Sequence, residues 1–358
     1  MMSFLKTVWG LFFRLFPCPT KVGLRPIGNP GPDSPVLVTC NFDLTVKRLF
    51  KLLRGLDLWL LVGESKGVNV WCAAGGEEFN THSVVSVVKT SGIADKVSHR
   101  TLILPPLGAP GVKKSEVEKQ TGWKVLWGPV WAQDIPRYLA DNCKRDETMK
   151  RVTYNLMGRL DTGLSCLFPF YLIFALVFFL FFSTHLITYL VVGAVSFFAF
   201  MSLVPWIPGK RGITKALFSD ALLLAVLLSL EFISSPDANP FRAQLVIAMI
   251  MIPVYGLELG GLASTMPSDL DPFLARFGVK AIGNVEFAGT TRTELLNGYK
   301  VLTYDREKCI DCRSCSEICP QGVWGIDEGK RAKMINKDAC TACVGCITQC
   351  PTAAITAA

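Results

Sequence analysis

Between Gly163 and Gly209 the chain carries no acidic or basic side chain except His185. A water-soluble domain does not keep so long a run free of charge, because its surface positions need polar side chains. The run is too long for one bilayer crossing, which takes about 20 residues, and suits two. Backbone in hydrocarbon must satisfy its own N–H and C=O groups, so the run reads as two helices. We place spans near residues 164–182 and 186–206, joined by a turn at Thr184-His185. Further apolar stretches near 216–233 and 243–262 give an α-helical transmembrane domain of about four helices over 163–264. Asp220, Glu231 and Glu258 lie within or at the edges of these spans. Such acids are functional candidates in mid-membrane and ordinary where water reaches the span end. Lys144, Arg145, Lys150, Arg151 and Arg159 precede the first span, and Lys210, Arg211 and Lys215 separate the second from the third. The other turns carry little positive charge beyond Arg242, so both soluble parts are expected on the cytoplasmic side of the inner membrane. Only 18% of residues are charged, with a net charge of +8, which suits an anionic lipid surface. No basic, aromatic-lined surface for nucleic acid stands out.

Residues 1–20 read as an interfacial amphipathic helix lying on that surface. A signal peptide is the alternative, but Arg14 interrupts the apolar run and no small-residue cleavage site follows. Residues 21–145 read as a soluble α/β domain. Short apolar runs at 36–38, 59–62, 102–104 and 124–126 predict strands, and 44–53, 83–88 and 115–119 predict helices between them. Strands alternating with helices imply a parallel sheet covered on both faces, with ligands bound beyond the carboxyl ends of the strands. The segments there are Thr39-Cys40-Asn41, 64–76, 105–111 and 128–130, rich in Gly, Pro and small residues. Residues 265–300 read as a linker.

Eight of the thirteen cysteines fall within the last fifty residues. Cys309, Cys312, Cys315 and Cys319 precede Pro320, and Cys340, Cys343, Cys346 and Cys350 precede Pro351. Each run has the C-x2-C-x2-C-x3-C-P spacing of a site for a [4Fe–4S] cluster, whose fourth thiolate comes from the other repeat. Cys309, Cys312, Cys315 and Cys350 are therefore expected to hold one cluster, and Cys340, Cys343, Cys346 and Cys319 the second. A zinc site is the alternative for a lone cysteine pair, and two full repeats argue against it. Residues 301–358 thus resemble the bacterial-type 2[4Fe–4S] ferredoxin family, an α+β fold, which implies low-potential one-electron transfer.

One further cysteine stands apart, in Asn69-Val70-Trp71-Cys72-Ala73-Ala74-Gly75. Composition alone allows a buried core thiol, but Cys72 follows the second strand on the ligand side and small residues flank it. This run resembles the cap-helix motif of the mercury-methylating corrinoid protein family, which is related to the large subunit of the corrinoid iron–sulfur protein. The similarity extends through Ser34-Pro-Val-Leu-Val-Thr39, residues 102–111 and residues 128–136. The resemblance implies a Rossmann-like domain that binds a cobalamin-type corrinoid. In it Cys72 is the catalytic residue and lower cobalt ligand, Asn69, Val70, Trp71, Ala73, Ala74 and Gly75 shape the cap, and Thr39 approaches the corrinoid. It further implies an anaerobic, membrane-anchored methyltransferase that passes a methyl group from methyl–cobalt(III) to inorganic Hg(II), giving methylmercury. The ferredoxin domain, a separate partner in that family and fused here, reduces the cobalt. A methyl-donor protein or methyl-folate methyltransferase and an Hg(II)–thiol complex are the implied partner and substrate. The sequence departs from the family at Gly76, where the motif has lysine, at Cys40, and in lacking cysteines after Cys350.

Two other readings stay open. The methyl acceptor can belong to one-carbon metabolism, or the chain can be a membrane electron-transfer ferredoxin whose α/β part only docks. His82, His99 and His185 sit in no Asp-x-His-x-x-Gly context, and neither a G-x-G-x-x-G loop nor a complete phosphate loop is present.

Overall fold

The expected strands form where apolar residues are buried on both faces of a sheet, as parallel strands require. In the computed structural model the described residues are 2–259 and 302–356, except 15, 76, 154, 210, 211, 234–240, 330 and 342, together with a short pair, Glu286–Phe287 and Thr290–Thr291. Most of the expected linker, the end of the fourth expected span and Gly76 therefore lie outside the described residues.

Helix α1 (Met2–Phe12) leads into β1 (Gly23–Ile27), β2 (Val36–Cys40), α2 (Asp43–Leu52), β3 (Leu58–Gly63), α3 (Val70–Gly75) and α4 (Thr81–Thr90). Then come β4 (Thr101–Leu104), α5 (Lys114–Thr121), β5 (Lys124–Trp127) and α6 (Ile135–Ala140). The sheet order is β1-β3-β2-β4-β5. The four strands from β2 to β5 are parallel, and β1 pairs antiparallel with β3, Gly23 opposite Val62 and Ile27 opposite Leu58. The sheet is thus mixed rather than purely parallel. The added strand sits at the edge, where Pro26 costs no ladder hydrogen bond. One face packs Leu61, Leu102 and Val125 beneath Val84, Val88 and Val117 of α4 and α5. The other packs Leu37, Leu60 and Ile103 against Val46, Leu49 and Tyr138 of α2 and α6. Each such aliphatic side chain contributes about 1.5–3 kcal/mol on burial. Chain order reverses between β2 and β4, which opens the ligand crevice of such sheets between the loops that follow them.

Four apolar helices follow: α7 (Leu156–Phe181), α8 (Leu186–Leu203), α9 (Gly212–Ile233) and α10 (Arg242–Leu259). Among the described residues three are long and apolar enough to cross a membrane, and the apolar part of the last, Arg242–Leu257, is shorter. About four spans were expected. The first helix starts at Leu156, before the apolar run, because Asn155 caps it by accepting the Gly158 N–H at 2.8 Å. Inside the bundle Tyr255 donates to the Gly193 carbonyl at 2.8 Å and Tyr189 to that of Tyr171 at 2.8 Å, so these hydroxyls are satisfied away from water. Helix α1 lies against both parts: Phe12 and Phe13 meet Phe168 of α7, and Gly10 meets Leu44 of α2.

The C-terminal part consists of β6 (Thr303–Tyr304), α11 (Ser314–Ile318), β7 (Trp324–Ile326), β8 (Ala332–Met334), α12 (Gly345–Gln349) and β9 (Ile355–Thr356). Strands β7 and β8 pair antiparallel, as do β6 and β9. The two repeats keep the same backbone: Arg313 and Val344, at equivalent places between cysteines, both turn left-handed at φ 60° and 54°.

Candidate functional site

The loop after β3 must carry Cys72 to the crevice, and Asn41 fixes it there. Asn41 is 2% exposed, and its Oδ1 accepts the Ser65 N–H at 3.0 Å, the Gly67 N–H at 2.9 Å and the Ser65 hydroxyl at 2.7 Å. Its Nδ2 donates to Glu64 at 2.9 Å. The loops after β2 and β3 are thereby tied together. Asn69 then starts α3 by accepting the Cys72 N–H at 3.1 Å. The residue expected to touch a cofactor is, in this geometry, the cap of the helix that presents Cys72.

Helix α3 is two-sided. Ala73, Ala74 and Gly75 are buried, while Val70, Trp71 and Cys72 are half-buried. Phe79, fully buried, donates its N–H to the Ala73 carbonyl at 3.0 Å and backs the helix. A Cβ at Gly111 would run into the carbonyl oxygens of Phe79 and Ala74, so the loop after β4 closes on α3 only with glycine there. The Pro106–Gly108 turn of that loop packs on α3. Thr39 is buried in β2, and Cys40 at the end of that strand is wholly buried. Burial pushes the Cys40 thiol up to about 11, partly offset by bonds to Phe42, Ser65 and Thr39. Cys40 is therefore a protonated core group rather than a second sulfur at the site. Sequence reasoning placed Asn41 at the ligand end without a role and passed over Phe79. An asparagine directly after a strand was the available signal for the former.

The second set of predicted residues comes together across the two repeats. A partly open cavity is lined by Cys319, Cys340, Cys343 and Cys346, together with Ile318 and Trp324. Burial pushes the Cys343 thiol up to about 12 and that of Cys346 well above its ordinary range, with Cys319 and Cys340 close enough to add to both. Three of these thiols come from the second repeat and Cys319 from the first. Cys309, Cys312 and Cys315 likewise neighbour one another. Pairing of β9 with β6 returns residues 350–356 beside 303–309, and Cys350 Sγ accepts the Ala354 N–H at 3.2 Å. Among the described residues no three ligating side chains converge on a single-ion site. Thiols that end different corners of a cube need no such convergence, and the cavity and its sulfur donors fit a [4Fe–4S] cluster. For a corrinoid the fit is one of donor chemistry: a soft, half-buried sulfur on a helix at the crevice.

The two parts touch. Arg145 and Lys150 flank Glu317 at 2.7 and 2.9 Å. Burial works against the Glu317 charge, but Lys150 and Arg145 hold its carboxyl below the usual range. Arg151 donates to the Cys319 carbonyl at 2.8 Å, and the Val152 N–H to that of Pro320 at 2.9 Å.

Residues 15–139 match the family described as CO dehydrogenase/acetyl-CoA synthase delta subunit, and residues 302–351 match the 4Fe-4S dicluster domain family. The gamma subunit of the acetyl-CoA decarbonylase/synthase complex of Archaeoglobus fulgidus is 38% identical over 128 residues, 35% of this chain and 27% of that one. Those of Methanopyrus kandleri and Methanocaldococcus jannaschii are 38% and 36% identical over 125 and 132 residues, 34% and 35% of this chain and 27% and 26% of theirs. The chain thus spans about a quarter of the length of these relatives. It joins a domain homologous to the gamma subunit of the acetyl-CoA decarbonylase/synthase complex to a 4Fe-4S dicluster domain.

Proposed function

We propose that the chain is a membrane-held corrinoid protein of methyl transfer that carries its own reductant. The observation that carries this reading is Cys72, half-buried on α3 at the crevice and joined to a dicluster domain that packs on the same side. A corrinoid bound there supplies a cobalt that carries a methyl group and is restored by single electrons. Cys72 would hold the cobalt through its sulfur, with Asn69 holding the helix start, Trp71 beside it, and Ala73 and Ala74 letting Phe79 and the Gly111 loop pack close behind. A thiolate is a strong donor. As a cobalt ligand it would favour release of a methyl group with its bonding electrons, the form that an Hg(II) electrophile held by thiols would take up. Methylmercury formation is therefore our first reading of the acceptor. The relatives favour a second: they are subunits of an acetyl-CoA decarbonylase/synthase complex, and an acceptor in one-carbon metabolism fits them. In either case a methyl-donor protein or methyl-folate methyltransferase supplies the methyl group. The apolar helices would hold both soluble parts at the cytoplasmic face of the inner membrane, with the basic residues before α7 and between α8 and α9 inside.

The test uses anaerobic membranes with methylcobalamin, a reductant and Hg(II)–thiol, comparing the natural chain with Cys72→Ala. Methylmercury above the abiotic background, lost in Cys72→Ala, is the expected result. Background levels from a chain that holds a corrinoid by its absorbance move the acceptor to one-carbon metabolism. A chain that carries clusters and takes up no corrinoid sinks both readings.

A further inference from the structure

A narrow pocket lies between the α/β part and the dicluster part. Trp71, Leu107 and Pro110 line one side, and Cys343 and Gly345 the other. Cys343 also lines the cradle it shares with Cys319, Cys340 and Cys346. One residue thus borders both a cluster site and the gap next to the neighbour of Cys72. In the other cysteine set Cys315 is buried, but Cys312 is exposed, as is the nearby Ile310.

Polar bonds hold this orientation. Gln349 is 8% exposed, and its Nε2 donates to the carbonyls of Ala109 at 2.8 Å and Val112 at 2.7 Å. Its Oε1 accepts the Lys114 N–H at 3.1 Å. Next to it Thr348 donates its hydroxyl to the Pro110 carbonyl at 2.9 Å. All four backbone groups belong to the chain between β4 and the start of α5, one wall of the crevice. A glutamine that donates twice and accepts once cannot be shortened without stranding those groups.

We propose that the dicluster domain docks with the cluster of Cys319, Cys340, Cys343 and Cys346 facing α3, and that Gln349 is the positioning residue for this docking. Electrons then enter through the cluster assigned to Cys309, Cys312, Cys315 and Cys350 and leave through the inner one. The destination of the electron rests on the reading of Cys72 as a corrinoid ligand; the docking does not. Each passage moves one electron and no proton or bond. An external low-potential one-electron donor takes the outer cluster from 2+ to 1+, the inner cluster takes that electron, and the acceptor at Cys72 gains it as the inner cluster returns to 2+.

The test uses the full chain, purified anaerobically in detergent with both clusters and no corrinoid, and labelled with 5-fluorotryptophan. The fluorine line of Trp71 is assigned by its loss in Trp71→Phe. Trp324, which lines the inner cradle, is the internal control. Reduction by dithionite makes the clusters paramagnetic and is expected to broaden the Trp71 line severalfold. The broadening should persist in Cys312→Ala, vanish in Cys343→Ala, and shrink in Gln349→Ala, whose iron content and paramagnetic resonance stay those of the natural chain. A Trp71 line unmoved by reduction of both clusters overturns the docking. Loss in Cys312→Ala with persistence in Cys343→Ala reverses the order of the clusters and overturns the assignment. An unchanged Gln349→Ala removes the positioning role. If Cys343→Ala does not retain its outer cluster, the natural chain and Gln349→Ala decide. Because no corrinoid is present, a chain that passes here and fails to transfer methyl groups defeats the functional reading and leaves the docking standing.

Discussion

Asn41 does at the residue scale what the sequence concealed. Its side chain satisfies donors at Ser65 and Gly67, more than twenty positions away, and no local pattern announces that reach. Asn41→Leu leaves those donors buried without an acceptor, at about 2 kcal/mol, or about thirtyfold in local opening. Amide exchange across residues 64–72 should quicken by that factor while β2 to β5 stay protected; unchanged exchange would show that the loop holds itself. Cys40 makes a second prediction. Its pKa is raised by burial to about 11, against about 8.5 for a thiol in an unfolded chain. Folding therefore favours the protonated form. The stabilisation is whole below about pH 8.5 and is lost as the pH rises through about 11. Iodoacetamide at pH 8.5 should leave Cys40 unmodified in the folded chain and alkylate it after denaturation, as peptide mapping reads; alkylation of the folded chain would contradict that burial. The 4Fe-4S dicluster domain was legible, by contrast, because thiolate ligands of such clusters recur at fixed spacing along the chain.

Elements were legible where burial is symmetrical and obscure where it is not. The strands from β2 to β5 appear within a residue or two of their expected places, because their apolar runs are buried on both sides. Strand β1 was missed: its residues are mostly half-buried, and Pro26 reads as a breaker although an edge position tolerates it. The start of α7 was missed because hydropathy registers Arg159 and Asp161 as outside a span. Asp161 in fact joins three helices, meeting Arg14 after α1 at 2.8 Å and Arg48 of α2 at 2.7 Å. Asp161→Ala leaves two guanidinium groups facing each other, and α1 keeps the Lys47–Thr7 hydrogen bond to α2 but loses the ion pairs that tie its end to α7 and α2. We expect trypsin cleavage at Lys6 and Arg14 to rise severalfold, with α7 itself intact. Equal cleavage in both chains would mean that the Lys47–Thr7 bond and the packing of Phe12 and Phe13 on Phe168 hold α1 without the ion pairs.

At the scale of the whole molecule, the cysteine spacing foretold a dicluster domain but not where it rests. Docking depends on Gln349 meeting backbone over 230 positions away, and on Glu317 meeting Arg145 and Lys150. It also depends on apolar packing, because Ile318, Val323 and Trp324 belong to the same buried cluster as Leu102 and Val117 of the α/β part. The order of unfolding follows from the sizes of the two parts. A domain of about 55 residues buries too little apolar surface to stand without staples, and metal binding then supplies its folding energy. The sheet of the α/β part has helices on both faces and needs no such staple. Anaerobic iron extraction by a chelator after mild oxidation should therefore release amide protection throughout residues 302–356. The chain between β4 and α5 should follow, since Ala109, Val112 and Lys114 lose the glutamine that bonds them. Strands β2 to β4 should keep their protection. If the iron-free chain retains protection at residues 109–114, Gln349 stays seated without the clusters, and interdomain packing rather than metal holds the C-terminal part in place.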